Sequence, residues 1–224
     1  MEIQILEYTK KPLTKIGVNA SYCYNTKLKD ENHAKRIAIN CINGGHGRNM
    51  EFADVTFVMK GVSARMAREF GRHQVGVSFL QSSTRYINYK NFNYHTPKGL
   101  TKEQLKVYND TMEEINKNYI KLKDLGCKND ITGYLLPLSM ETELVVKINV
   151  RALEHMFELR ECTRALLEFR EFMKLLKQEL RKLDDEWEWL CDNSFNVKCK
   201  KYGYCTEEKC CGLYPKKEEV LNFK

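Results

Sequence analysis

The chain lacks the segments that would place it in a membrane or direct it out of the cell. No stretch of its 224 residues approaches the roughly 20 apolar residues that a membrane-spanning helix requires. The opening MEIQILEYTKKPL has neither the basic start nor the apolar run of a signal peptide. We therefore expect a cytoplasmic protein with no membrane partner, whose nine cysteines are thiols or metal ligands rather than a disulfide framework.

A long basic block, an internal repeat and a flexible linker are also missing. The net charge of +7 is spread along the chain. A positive charge favours anionic partners, but without a basic block a phosphorylated metabolite fits at least as well as nucleic acid. With 42% apolar residues, the chain has enough hydrophobic material for a packed core.

Apolar spacing predicts both strands and helices. We expect strands over residues 2–8, from Phe52 to a stop at Gly61, and after the LLP segment near residue 137. We expect helices over residues 30–43, over 62–73 with Arg72 and His73 at the far end, over 101–125, and almost throughout 149–190 with a joint near Cys162. The third of these helices is expected to bury Val107. Apolar residues spaced three and four apart in the last one are expected in the core: Leu166, Phe169, Met173, Leu176, Leu180 and Leu183. This pattern predicts one α+β domain over residues 1–195 and a cysteine-bearing tail over residues 196–224.

The segment GRHQVGVSFLQSSTRYINY, residues 71–89, concentrates hydrogen-bonding side chains. On an extended segment Gln81, Ser83 and Arg85 would point to the same side, so that Ser83 and Arg85 could meet one anion. A guanidinium suits a phosphate or the edge of a pyrimidine ring, and His73 could donate to a ring atom. The alternative is a helix end followed by a solvated edge strand.

The segment NVRALEHMFELRECTRALLEFR, residues 149–170, carries a second group. On a helix Arg151, His155 and Glu158 would share one face, and Arg160 and Arg164 would form a row four residues apart. Like charges at this spacing repel, so an anion between the two arginines would explain them. The alternative is a basic solvated helix face.

Taken together, these segments resemble the flavin-dependent thymidylate synthases. That family has Arg-His-Arg, about seven residues, then Ser-x-Arg-Tyr, and here RHQ at 72–74 precedes STRY at 83–86. It has Gly-His, a Glu five residues later and an apolar strand, matched here by GGHGRNMEFADVTFVMKGVS. Its Asn-x-Arg-x-Leu-x-x-Phe-x-x-Leu-Arg is nearly repeated by NVRALEHMFELR. The resemblance extends from about residue 15 to residue 212.

The resemblance implies a fold, an assembly and a reaction. The expected fold is a single α+β domain with a mixed, mostly antiparallel sheet and long helices, assembled as a homotetramer whose sites are shared between subunits. The implied reaction is the reductive methylation of dUMP to dTMP, with methylenetetrahydrofolate as carbon donor, FAD as hydride carrier and NADPH as reductant. Nucleic acid is not an expected partner.

The resemblance also implies roles for individual residues. The positions that match flavin contacts are Glu51, His73, Asn149, Arg151, His155 and, less directly, Cys23. The positions that match nucleotide contacts are Arg72, Gln81, Ser83, Arg85 and Arg160. Arg160 is the predicted catalytic residue, because an arginine against the uracil ring would stabilise charge as carbon 5 becomes nucleophilic.

The chain departs from the family pattern at several points. Gln74 replaces the last arginine of Arg-His-Arg, and one extra residue lies among Val75–Val77. Gly133 stands where the family has an arginine before its VLP segment, and Glu69 where it more often has glutamine. These departures leave two alternatives: one-carbon transfer to another pyrimidine nucleotide, and a non-catalytic nucleotide- or RNA-binding descendant. The retained flavin positions favour an enzyme.

Four cysteines cluster near the end of the chain, at positions 199, 205, 210 and 211. Their irregular spacing, with two adjacent cysteines, argues against a zinc site, and we predict no metal. Reduced thiols and a labile disulfide are the other interpretations. No cysteine has the surroundings of a catalytic nucleophile.

Overall fold

The computed structural model describes residues 1–221 and combines strands with helices, which confirms the α+β prediction. The strands are β1 (Glu2–Tyr8), β2 (Asp54–Ser63), β3 (Val77–Gln81) and β4 (Glu141–Asn149). The α-helices are α1 (Pro12–Cys23), α2 (Glu31–Asn43), α3 (Ala64–Phe70), α4 (Lys102–Asp124), α5 (Asn129–Thr132), α6 (Val150–Arg160), α7 (Leu167–Arg181), α8 (Asp185–Asn193), α9 (Lys198–Tyr202) and α10 (Lys217–Leu221). Two 3₁₀ helices span Gly47–Phe52 and Gly133–Leu135.

The strands form one antiparallel sheet in the order β1–β2–β4–β3. Val150 donates its backbone N–H to Ala53 at 2.9 Å, and Ala64 donates to Met140 at 2.8 Å, so β2 and β4 run in opposite directions. Along β4 buried and more exposed residues alternate, as expected for a strand with one face on the core. The expected sheet was mixed and mostly antiparallel, and the observed sheet is antiparallel.

The chain divides into two compact units, each built from several segments. The first unit contains Met1–Gln4, Val58–Arg72 and Phe79–Val146. The second contains Ile5–Phe57, His73–Ser78 and residues 147–221. Residues 196–221 belong to the second unit, and the domain boundary at residue 195 stays a prediction.

Local signals in the sequence explain where several helices begin. Thr101 and Gln104 form a capping box at the start of α4, and Asp30 accepts a hydrogen bond from the backbone of His33 at the start of α2. Asn149 caps α6 in the same way, accepting from the backbone N–H of Ala152 at 2.9 Å. In α7 the predicted core positions 169, 173, 176 and 180 are buried.

Other boundaries differ from the prediction. Gly61 does not end β2, which continues to Ser63. Helix α3 ends at Phe70, so Arg72 and His73 lie beyond it rather than on its last turn. Val107 was expected on the buried side of α4, but its side chain is 66% exposed.

Helix α1 was not predicted at all. It packs on α2 within the second unit, and a Cβ at Gly17 would come within 1.8 Å of the Ala34 carbonyl oxygen. The close approach of two helix backbones therefore requires glycine there. Within residues 1–221, no helix is both long enough and apolar enough to cross a membrane.

Candidate functional site

His73 and Arg160 lie side by side in the second unit. Arg160 is the last residue of α6, and its Nε donates to Nε2 of His73 at 2.9 Å. Because an arginine stays protonated, Nε2 of His73 is the acceptor of this hydrogen bond. The fully buried Phe169 ring lies under the guanidinium, 4.9 Å from Cζ to the ring centroid, and 6.1 Å from the His73 ring. A cation over an aromatic face is an attractive arrangement that fixes the plane of the guanidinium.

His155 extends this cluster along α6. Its ring centroid is 6.3 Å from that of His73, edge to face. Its Nδ1 is 3.9 Å from a carboxylate oxygen of Glu158, and Glu158 also pairs with Lys201 at 3.0 Å. The structure therefore brings together His73, His155 and Arg160, which the resemblance placed at flavin and uracil positions.

Arg151 and Glu51 form a second pair in the same unit. Nη1 of Arg151 donates to Oε1 of Glu51 at 2.6 Å. Glu51 comes from the 3₁₀ helix over Gly47–Phe52, and Arg48 on the same helix is 4.0 Å from the same oxygen with a more exposed side chain. Arg151 keeps about half of its side chain exposed. A guanidinium held on one edge by a carboxylate still offers donors to an anionic ligand.

A turn before β3 meets the start of α6. The backbone N–H of Asn149 donates to the carbonyl of Gly76 at 3.0 Å. Gly76 has φ of +74°, and a Cβ there would lie 2.5 Å from Nδ2 of Asn149, so this turn requires glycine. The extra residue assigned to Val75–Val77 falls at this turn.

In the first unit, the prediction that the chain is extended from Gln81 to Arg85 is wrong. Strand β3 ends at Gln81, and the backbone N–H of Ile87 donates to the carbonyl of Ser83 at 3.1 Å. The Ser83 hydroxyl also accepts from the backbone N–H of Arg85 at 3.3 Å. Such local bonds of a serine side chain compete with strand pairing, which explains the turn. Ser83 and Arg85 therefore do not share a strand face with Gln81.

Two arginines of the first unit match nucleotide contacts in the family, Arg72 and Arg85, and both have acidic neighbours. Nε of Arg85 donates to Asp130 at 2.7 Å, and Nη1 of Arg72 is 3.5 Å from Glu69. The hydrogen bond and charge of Arg85 lower the pKa of Asp130, and Asp130 in turn raises the pKa of Arg85. Gln81 makes a longer contact, 3.4 Å from its Nε2 to the Thr142 hydroxyl.

The predicted row of Arg160 and Arg164 is also wrong. Helix α6 ends at Arg160, and Arg164 lies in the bend that follows, where it pairs with Glu207 at 2.6 Å. No anion between the two arginines is needed to explain them. Cys23, which matches a flavin position less directly, is the exposed last residue of α1.

Sequence reasoning missed two kinds of contact. Phe169 was assigned to the core, which is correct, but nothing in its spacing indicated that its ring lies under Arg160. Asp130 was not singled out, because an acidic side chain 45 residues from Arg85 gives no local signal. Among residues 1–221, no three histidine, cysteine or acidic side chains lie where they could hold a metal ion.

Comparison with known families identifies the chain. The family described as thymidylate synthase complementing protein matches residues 4–184. The chain belongs to this family. The flavin-dependent thymidylate synthase of Nitratidesulfovibrio vulgaris is 27% identical over 97% of both chains, and that of Pyrococcus furiosus is 27% identical over 92% of this chain and 90% of its own.

Solved structures of the family share the fold. The flavin-dependent thymidylate synthase ThyX from Helicobacter pylori, complexed with FAD and dUMP, superposes with a TM-score of 0.70. It is 23% identical, and the match covers 88% of this chain and all of that one. The family match ends at residue 184, so helices α8 to α10 lie beyond it.

Proposed function

We propose that this chain is an FAD-dependent methyltransferase that converts dUMP to dTMP, with methylenetetrahydrofolate as carbon donor and NADPH as reductant. The observation that carries the proposal is the His73–Arg160 pair, which joins a flavin position to the catalytic arginine position. Membership of the family and the names of the relatives support the same activity.

The second unit offers a donor set that fits FAD. Arg151 is a half-exposed cation oriented by Glu51. His155, one turn further along α6, brings its imidazole next to that of His73. Together with Asn149, these groups suit an anionic diphosphate and the polar edge of a flavin ring. When bound, FAD would supply the hydride chemistry, which no side chain of this cluster can perform. The protein contributes binding and orientation.

Arg160 would act on the pyrimidine. Its Nε is engaged by His73 and its guanidinium plane rests on Phe169, so its orientation is set before a ligand arrives. A preorganised cation at the uracil carbonyl edge would stabilise negative charge as carbon 5 becomes nucleophilic. Preorganisation matters because the donor then needs no rearrangement as the charge develops.

The first unit would hold the nucleotide phosphate through Ser83, Arg85, Gln81 and Arg72. Arg85 uses one of its N–H groups on Asp130 and has others in its exposed fork. We propose the family's homotetramer, with sites shared between subunits, as the active assembly.

Tritium release from carbon-5-tritiated dUMP tests the proposal. The assay contains purified protein, FAD, NADPH and methylenetetrahydrofolate. We expect folate-dependent release that falls about 10²- to 10³-fold in Arg160→Ala, the usual effect of losing a charge-stabilising donor. Arg164→Ala is the matched control, since Arg164 is held by Glu207 instead, and it should stay near the parent rate.

A second candidate is one-carbon transfer to a different pyrimidine nucleotide. The acidic neighbours of Arg72 and Arg85 favour it, because they change the surroundings of two residues proposed to hold the nucleotide. Bound flavin with no tritium release from dUMP, but turnover of another pyrimidine nucleotide, would establish this alternative. Protein that neither binds flavin nor releases tritium would contradict both candidates.

A further inference from the structure

The turn that carries Ser83 and Arg85 lies in an irregular segment of the first unit. Residues 82–93 contain neither helix nor strand, and Phe92 is the buried residue among them, 8% exposed. Within the turn the backbone hydrogen bonds are local, such as the one from Ile87 to the Ser83 carbonyl at 3.1 Å. Such bonds shape the turn, but its position depends on the contacts of the chain on either side.

Two hydrogen bonds hold the chain before and after this turn. Before it, the backbone N–H of Ser82 donates to the carbonyl of Glu143 on β4 at 3.0 Å. After it, the backbone N–H of Tyr89 donates to the phenol oxygen of Tyr119 on α4 at 3.1 Å, and Tyr119 is fully buried. The turn therefore lies between an attachment to the sheet and an attachment to a side chain fixed in the core.

Asn116 lies one turn before Tyr119 on α4 and holds the next part of the segment. Its Oδ1 accepts from the backbone N–H of Asn91 at 2.9 Å, and its Nδ2 donates to Oδ1 of Asn91 at 3.2 Å. Asn91 has φ of +58°, a left-handed conformation that asparagine tolerates better than most residues. Lys90 also pairs with Asp124 at 2.8 Å, but exposed ion pairs contribute little. The uncharged bonds of Tyr119 and Asn116 are therefore the main attachments of this segment to α4.

We propose that Tyr119 and Asn116 are positioning residues for the nucleotide phosphate. Through the backbone of Tyr89 and Asn91 they fix the turn that presents Ser83 and Arg85, and neither acts by contacting the nucleotide itself. The inference rests on the proposed function, because it takes Ser83 and Arg85 as phosphate contacts. A contact that is ordered before the ligand arrives loses less conformational entropy on binding. Loosening the turn therefore weakens phosphate binding although no contact residue is changed.

Tyr108 provides a matched control on the same helix. Its phenol oxygen donates to the carbonyl of His95 at 2.8 Å, so it attaches α4 to the chain beyond the irregular segment. Tyr108→Phe and Tyr119→Phe each remove one hydroxyl that bonds to the backbone and keep the aromatic ring. Only the second change loosens the chain next to the turn.

Calorimetric titration of the FAD-loaded protein tests the inference without turnover. The ligands are dUMP and deoxyuridine, which lacks the phosphate. We expect the Kd for dUMP to rise about three- to tenfold in Tyr119→Phe and in Asn116→Ala, the range for losing a backbone hydrogen bond. Tyr108→Phe should keep the parent Kd, and deoxyuridine should bind equally to all four proteins. Hydrogen exchange of peptides covering residues 82–91 should be faster in Tyr119→Phe than in the parent.

The outcomes separate positioning from a purely structural role. A structural hydroxyl would lower the midpoint of thermal unfolding but leave the ratio of the two Kd values unchanged, and that result overturns the inference. Unchanged dUMP binding in both variants overturns it as well. Asn116 is only half-buried, so Asn116→Ala decides the matter if Tyr119→Phe does not fold. If the parent protein itself binds no dUMP, the proposed function fails, and the inference fails with it.

Discussion

The candidate site residues of the second unit and those of the first unit are held in different ways. In the second unit the candidates contact one another: Arg160 bonds His73, and Arg151 bonds Glu51. In the first unit Arg85 pairs with Asp130, a residue outside the family motif. The residues of the second unit are therefore preorganised for a ligand. In the first unit a ligand must compete with a carboxylate for Arg85.

Two of the departures from the family pattern lie in the first unit. Glu69, where the family more often has glutamine, lies beside Arg72. Gly133, where the family has arginine, packs against Thr84, next to Arg85 in the turn. Both residues leave the proposed nucleotide side with less positive charge than the family pattern would give it. Flavin binding and nucleotide affinity should respond separately to mutation.

The largest expected effect on ligand affinity is in the second unit. Arg151→Ala removes the cation that Glu51 orients, and we expect flavin affinity to fall about 10- to 100-fold, as for the loss of a charged hydrogen bond. Flavin content of the purified protein and titration with FAD measure it. Arg48→Ala is the control, because Arg48 approaches the same Glu51 oxygen at 4.0 Å from an exposed position. Equal flavin loss in both variants would show that only the charge of this region matters.

The sequence predicted the parts of the site that depend on local pattern. Periodicity placed Arg151 and His155 on one helix, and Asn149 is a residue type that caps helices, as it does for α6. The His73–Arg160 contact joins residues 87 positions apart, so only the resemblance could associate them. The turn at Ser83 was missed because the spacing of Gln81, Ser83 and Arg85 alone favours an extended strand. The hydrogen bond between the serine side chain and the nearby backbone competes with that conformation. Helix α1 was missed because its small buried residues pack by close approach.

An intermediate effect is expected from restoring the family arginine in the first unit. A Cβ at Gly133 would make ordinary contacts, 3.5 Å from the Thr84 hydroxyl, so Gly133→Arg fits without strain. We expect the KM for dUMP to fall about three- to tenfold, because an added cation beside the Ser83–Tyr86 turn can meet the phosphate. Gly133→Gln adds a side chain without the charge and should not reproduce the gain. An unchanged KM in Gly133→Arg would place the phosphate elsewhere.

The smallest effect is expected from removing the carboxylate of Asp130, which pairs with Arg85. Asp130→Asn removes an exposed competitor, and we expect the KM for dUMP to fall about two- to fourfold, the scale of an exposed ion pair. Arg85 lowers the pKa of Asp130 in the folded protein below the ordinary value of 3.8. The ion pair is therefore fully formed above pH 3.8 and is lost only as the pH falls through the lowered pKa of the folded state. Between about pH 7 and 9 the carboxylate therefore stays ionised, and the gain in Asp130→Asn should be the same throughout that window.

Asp124→Asn is the control. It removes a similarly exposed carboxylate, the partner of Lys90 at 2.8 Å, and should leave the KM for dUMP unchanged. A gain that varies with pH in that window would mean that another group controls Arg85.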